Sequence, residues 1–110
     1  KRVEIVEKAK DRQKNINAYY QQMKTEVKES GLEPAERDAS LAFLEAVELY
    51  NQAVEAKELE EKCNLYEQAV RIKPDFHEAL YNWGNALVEL ERHEEAIGKY
   101  QEAVRIKPDK

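Results

Sequence analysis

Along residues 1–30, apolar side chains recur three or four positions apart, which is the spacing of one face of an α-helix. These positions are Val3, Val6, Ala9, Ile16, Tyr19 or Tyr20, Met23 and Val27. We therefore predict one long amphipathic helix over residues 2–29. Ser30 and Gly31 predict its end, because glycine adopts the left-handed cap conformation without a Cβ clash.

Four further helices are expected after this linker. Pro34 suits the first turn of the second helix, which runs to about residue 56 and has apolar residues on more than one face. The third spans about residues 59–72 and is ended by Pro74. Asp75 is read as the N-cap of the fourth, in a capping box with Glu78. The fourth ends near residue 90 and the fifth before the last proline.

An internal repetition relates the last helices to one another. The segment YEQAVRIKPD, which starts at Tyr66, recurs as YQEAVRIKPD from Tyr100, with eight of ten positions identical. We call the distance from Tyr66 to Tyr100 the repeat offset, and the same offset relates Pro74 to Pro108. A fixed period of about 34 residues is typical of solenoids in which each helical hairpin stacks on its neighbours.

Residues 77–110 resemble the tetratricopeptide repeat, whose pattern is W-x2-L-G-x2-Y, then A-x3-F, then P. The matching positions are Leu80, Trp83, Gly84, Leu87, Ala96, Tyr100 and Pro108, with Ala103 at a further small position. A poorer copy over about residues 43–76 keeps Leu49, Tyr66, Ala69 and Pro74. The resemblance implies an all-α fold, a right-handed α-solenoid of helix-turn-helix repeats preceded by a long N-terminal helix.

The two copies differ where small residues let paired helices approach. Gly84 is expected to lie against Ala96, since a glycine inside a helix costs about 1 kcal/mol relative to alanine and needs a reason. Tyr50 and Lys62 stand at the corresponding positions of the first copy. We therefore expect the first pair of helices to pack more openly or in a shifted register.

Three regions follow from this organisation: a charged amphipathic helix (1–30), a linker and helix start (31–38) and the repeats (39–110). Because a solenoid repeat buries its apolar face on a neighbour, the final helix needs a cover. We expect either that the chain is a fragment of a longer solenoid with further repeats, or that another subunit covers the C-terminal helix.

Charge and composition narrow the function classes. The net charge is −5, with eight Lys/Arg against five Asp/Glu in residues 1–30 and ten against eighteen afterwards. The acidic larger part argues against nucleic acid as a partner. No run approaches about 18 apolar residues, so no transmembrane segment is expected. A single cysteine, Cys63, is interpreted as a small buried hydrophobe rather than a reactive thiol, and favours a soluble, intracellular protein.

No motif for catalysis or cofactor binding is recognisable. His77 and His93 lie too far apart for one helical face, and neither has a His or Cys at a metal-ligand spacing. Gly-rich phosphate loops, nucleophile elbows and HExxH motifs do not occur in the sequence. We expect a protein that is not an enzyme and needs no metal or cofactor.

The resemblance implies that the first helices of successive repeats line a concave groove that binds a peptide or another protein's helix. The groove-facing candidates are Val47, Asn51, Glu78, Tyr81, Asn82, Asn85, Val88 and Glu89. With several glutamates nearby, a neutral or basic partner is expected rather than an acidic one. Asn51 and Asn82 also match a subclass of the family that binds C-terminal carboxylates. Val47, however, occupies the position at which that subclass has a lysine. The alternative function is a structural or assembly subunit, buried constitutively in a larger complex.

Overall fold

A computed structural model describes the backbone of residues 2–108 and the side chains of residues 15–108. Its helices are α1 Arg2–Glu29, α2 Pro34–Glu55, α3 Leu59–Ile72, α4 His77–Glu89 and α5 His93–Ile106. No strand occurs within residues 2–108, and the all-α fold class predicted from the sequence is confirmed. The chain forms two compact units, Lys1–Leu44 and Glu45–Lys110. The region boundaries expected at residues 30 and 38 stay predictions.

The first unit contains α1 and the beginning of α2. Of the two candidate tyrosines on α1, Tyr20 is buried and Tyr19 is exposed, so Tyr20 continues the apolar stripe. The helix ends as predicted, because Gly31 has a φ of +78° and the Ser30 hydroxyl donates to the Val27 carbonyl at 2.7 Å. Val3, Val6 and Ala9 lie outside the described side chains.

In the second unit, the end of α2 packs on α3 around small side chains. The buried core of this first hairpin contains Ala46, Ala53, Tyr66 and Ala69, together with Phe76 and Ala79 from the start of α4. Every alanine in this set is fully buried. Alanine methyl groups leave room for the larger aromatic rings, so the helices pack around a small number of bulky residues.

The second hairpin, α4 and α5, has a core of its own that reaches back to α3. Leu87, Ala86 and Ala96 are buried together with Cys63, and burial raises the pKa of the Cys63 thiol. The reading of this cysteine as a small buried hydrophobe is therefore confirmed. Arg92, in the turn, donates to Glu95 at 2.7 Å and to Glu60 of α3 at 3.3 Å.

The capping box predicted at the start of α4 is wrong. The N-cap residue is Phe76, and within the described residues no side chain caps this end of the helix. The Asp75 carboxylate instead forms an ion pair with the Lys73 ammonium group at 3.2 Å. The physical reason is burial: the Phe76 ring is drawn into the core and stacks on Tyr50 at a centroid distance of 5.1 Å. The helix consequently begins one residue later than a cap at Asp75 requires.

The close approach expected at Gly84 involves the ring of Tyr100. A Cβ placed on Gly84 would lie 2.7 Å from Cε1 of Tyr100, and its three nearest atoms all belong to that ring. A close approach therefore exists at Gly84, and the Tyr100 ring makes its nearest contacts. The expected contact between Gly84 and Ala96 stays a prediction. The larger ring of Tyr100 reaches across α4, whereas Ala96 packs with Leu87 and Cys63.

Candidate functional site

A groove of about 690 Å³ lies between α4 and α5 in the second unit. Its lining comes from two helical faces. On α4 the lining residues are His77, Glu78, Tyr81 and Asn82, on α5 they are Tyr100, Ala103, Val104 and Lys107, and Tyr50 of α2 completes the wall. Residues three or four apart share a helix face, so the periodicity of both helices places these side chains on one side.

Two tyrosines form the aromatic wall of the groove. The rings of Tyr81 and Tyr100 have centroids 5.5 Å apart at an interplanar angle of 51°. The Tyr100 hydroxyl donates to the side-chain oxygen of Asn85. Burial, and then the neighbouring Tyr81, raise the pKa of Tyr100. Tyr81 itself is 56% exposed, which leaves one face of its ring accessible to a ligand.

Asn82 joins the groove to the core of the first hairpin. Its side-chain nitrogen donates to the Tyr50 hydroxyl at 2.8 Å. Tyr50 lies between Phe76 and Tyr66, with a centroid distance of 5.8 Å to Tyr66. The Asn82 amide is thus hydrogen-bonded within the protein, and in the groove wall it holds the position of Tyr50.

The polar residues of the groove carry opposite charges at different positions. Glu78 is exposed, and its carboxylate lies 3.2 Å from Nδ1 of its neighbour His77. Lys107 is exposed next to the C-terminal end of α5. The walls between these charges are mostly apolar or aromatic. The lining therefore combines apolar and aromatic surface with one carboxylate and one ammonium group.

The eight predicted binding residues are distributed unevenly around this groove. Glu78, Tyr81 and Asn82 line it, and Asn85 supports it through Tyr100. Val88 and Glu89 are exposed on α4 but lie outside the lining. Val47 packs against the core of the first hairpin, and Asn51 is half-buried.

Sequence reasoning missed the residues that α5 contributes. It considered only first helices, whereas Tyr100, Ala103, Val104 and Lys107 are four of the nine lining residues. The repeat offset was the available signal. Tyr100, Ala103 and Lys107 have the same residue types as Tyr66, Ala69 and Lys73. The fourth, Val104, likewise repeats Val70.

Membrane-spanning helices and metal-binding clusters are two other features that could indicate a function. Within the described residues, no helix is both long and apolar enough to cross a bilayer. In the same part of the chain, no three His, Cys, Asp or Glu side chains come close enough to hold a metal ion.

Stacked helical hairpins related by a fixed sequence period define the second unit as a helical-repeat protein. Residues 77–110 match the family model of the tetratricopeptide repeat, and this segment is a tetratricopeptide repeat. Repeats of this family are typically non-catalytic protein–protein interaction modules. No curated protein and no solved structure matches the chain significantly. The matched range leaves out residues 43–76, so the degenerate first copy stays a prediction.

Proposed function

We propose that this chain is an adaptor that binds a peptide or a partner helix in the groove between α4 and α5. The observation that carries the proposal is the groove itself, which combines two tyrosine rings with exposed apolar surface on a tetratricopeptide repeat. Aromatic side chains that are partly exposed beside a pocket are frequent energetic centres of protein interfaces. Tyr81 has this position.

The charge of the neighbouring surface favours a neutral or basic partner. Glu45, Glu78 and Glu89 are all exposed on α2 and α4, and an acidic segment lying along these helices would be repelled. A carboxylate-gripping mode has little support, because Asn82 is bonded to Tyr50 and Val47 stands where that mode needs a lysine. We therefore propose an amphipathic partner without excess negative charge.

The test is selection of random peptides on the immobilised chain, followed by affinity measurements on variants. Tyr81→Ala should weaken the selected peptides by about tenfold or more, the loss typical of an interface hot spot. Tyr19→Ala is the matched control, because Tyr19 is a helical tyrosine of similar exposure, 60% against 56%, outside the groove. Selected peptides that bind Tyr81→Ala as tightly as the wild type would contradict the proposal.

A structural or assembly subunit is the second candidate function. Apolar side chains are strongly exposed on α5, where Ile97 is 53% and Val104 57% exposed, and such residues are commonly covered in an assembly. This alternative predicts that the isolated chain associates or melts at low temperature. A stable monomer in analytical ultracentrifugation would contradict it.

A further inference from the structure

Charge is distributed unequally over the helices of the second unit. At the end of α2, from Glu45 to Glu55, and along the whole of α4, glutamates occur without any Lys or Arg. The Lys and Arg residues between positions 45 and 108 lie on α3, on α5 or outside the helices. The first helix of each hairpin is therefore acidic, whereas the second helix carries both signs of charge.

On the second helices, basic side chains neutralise glutamates locally. Arg71 lies 3.4 Å from Glu67 on α3. On α5, Arg105 lies 2.6 Å from Glu102, and its hydrogen bond lowers the pKa of Glu102 because it stabilises the ionised carboxylate. The negative charge of these helices is thus largely compensated within the helices themselves.

The exposed face of α4 is a strip with a carboxylate at each end and apolar surface between them. Glu78 and Glu89 form the ends, and within the part of the chain whose side chains are described neither pairs with a Lys or Arg. Between them, Tyr81 is 56% and Val88 39% exposed. The spacing of these four residues places them on one helix face. At a rise of about 1.5 Å per residue, the strip is about 16 Å long.

We propose that this strip of α4 binds an amphipathic helix of a partner protein that carries Lys or Arg at both ends of an apolar stretch, eleven positions apart, as Glu78 and Glu89 are. The inference rests on the proposed function and names its partner class. It extends the site from the groove, which Glu78 and Tyr81 line, to Val88 and Glu89. Because two helices packed side by side have the same rise per residue, the cations of the partner match the spacing of the carboxylates.

Charge complementarity is the reason for committing to this partner class. An acidic helix or a nucleic acid backbone would be repelled by both carboxylates of the strip. An uncharged apolar helix would cover Tyr81 and Val88 but would partly desolvate Glu78 and Glu89 without offering them a partner. A basic amphipathic helix satisfies the apolar middle and both acidic ends.

Two synthetic helical peptides, titrated with the whole protein, test the spacing. Both peptides have the same length, the same composition and the same leucine stripe. In the first peptide two lysines stand eleven positions apart, like Glu78 and Glu89, and in the second they stand one helical turn apart. We expect the first peptide to bind about fivefold more tightly at low ionic strength, and this advantage to shrink as salt is added.

Charge reversal on the protein tests the contact itself. Glu89→Lys should weaken the first peptide by about fivefold or more, because it replaces attraction by repulsion at one end of the strip. Glu61→Lys is the matched control, since Glu61 is also an exposed helical glutamate but lies on α3. Both substitutions change the net charge equally, and circular dichroism checks that both variants keep their helices.

Three outcomes overturn the inference. The first is equal binding of the two peptides, or no binding of either, and the second is an equal loss from Glu89→Lys and Glu61→Lys. The third is self-association of the chain in analytical ultracentrifugation without peptide binding, which would assign the strip to a second copy. Failure of the proposed function is distinguishable, because Glu89 lies outside the groove lining. If selected peptides depend on Tyr81 but not on Glu89, the proposed function stands and this inference falls.

Discussion

The two hairpins of the second unit use the same residues in different surroundings. Tyr66 is only 3% exposed, and its pKa rises to about 12, first through burial and then through Tyr50, while a hydrogen bond with Asn82 acts in the opposite direction. Tyr100, its equivalent, is half-buried in an open groove. In the first hairpin, Phe76 and Ala79 lie in the core that contains Tyr66, whereas the position one repeat offset after Phe76 holds Lys110.

The hairpins also differ in how they accommodate large side chains. Where the second hairpin has Gly84 and Ala96, the first has Tyr50 and Lys62. Tyr50 stacks on Phe76, and the Lys62 ammonium donates at 3.0 Å to each of two carbonyls near the end of α2, those of Ala53 and Val54. Tyr50 and Lys62 thus each make a specific contact at a position where the second hairpin has a small residue. Whether the first pair of helices packs more openly stays a prediction.

The largest expected effect comes from removing the cover of the first hairpin. Phe76→Ala should lower the free energy of unfolding by about 3–5 kcal/mol, because it deletes a buried ring and leaves a cavity. Urea denaturation followed by circular dichroism measures this change. Tyr81→Ala, an exposed aromatic on the same helix, should cost less than about 1 kcal/mol. Similar losses for both variants would contradict the contrast between covered and open hairpins.

A smaller effect is expected from enlarging the equivalent alanines. Ala69→Leu should destabilise the protein by about 1–3 kcal/mol, since its methyl group is fully buried in the core that contains Phe76. Ala103→Leu should stay within about 0.5 kcal/mol, because the longer side chain can extend into the groove. Thermal unfolding of the two variants, measured in parallel, tests this expectation. Similar destabilisation by both substitutions would indicate that the two alanines are packed equally tightly.

The smallest effects come from two glycines and should have opposite signs. Gly84→Ala should destabilise the protein by about 1 kcal/mol, because the conflict with the Tyr100 ring outweighs the gain in helix propensity. Gly98→Ala should stabilise it by about 0.5–1 kcal/mol, as its Cβ would meet no atom within 4 Å. Combining Gly84→Ala with Tyr100→Leu should recover part of the loss in a double-mutant cycle. Stabilisation by Gly84→Ala alone would exclude the close contact.

Local signals in the sequence were sufficient for the helices but not for their mutual contacts. Pro34, Pro74 and Gly31 act within one turn of their own position, so the helix limits followed from them. The cap at Asp75 failed because a tertiary contact, the stacking of Phe76 on Tyr50, overrode the local capping preference. For Gly84, the sequence indicated a close approach, but it did not show that the Tyr100 ring reaches far enough to make the nearest contacts.

The candidate site was accessible from sequence only in part for a related reason. Residues on α4 were found because the family resemblance directs attention to first helices. The α5 residues of the groove lie on a second helix of the repeat, and their part in the lining follows from the three-dimensional arrangement of α4 and α5. The importance of this arrangement becomes apparent only from the first hairpin, in which the ring of Phe76 is buried against Tyr50.

The hydrogen bond from Asn82 to Tyr50 has a thermodynamic consequence. It connects the wall of the binding groove with the aromatic cluster that supports the neighbouring hairpin. If a ligand in the groove changed the position of Asn82, the bond would carry the change to Tyr50, and linkage would make the effect reciprocal. Changes deep in the first hairpin are therefore expected to alter affinity at a surface they never touch, which would make the pair of hairpins an allosteric unit rather than a rigid frame.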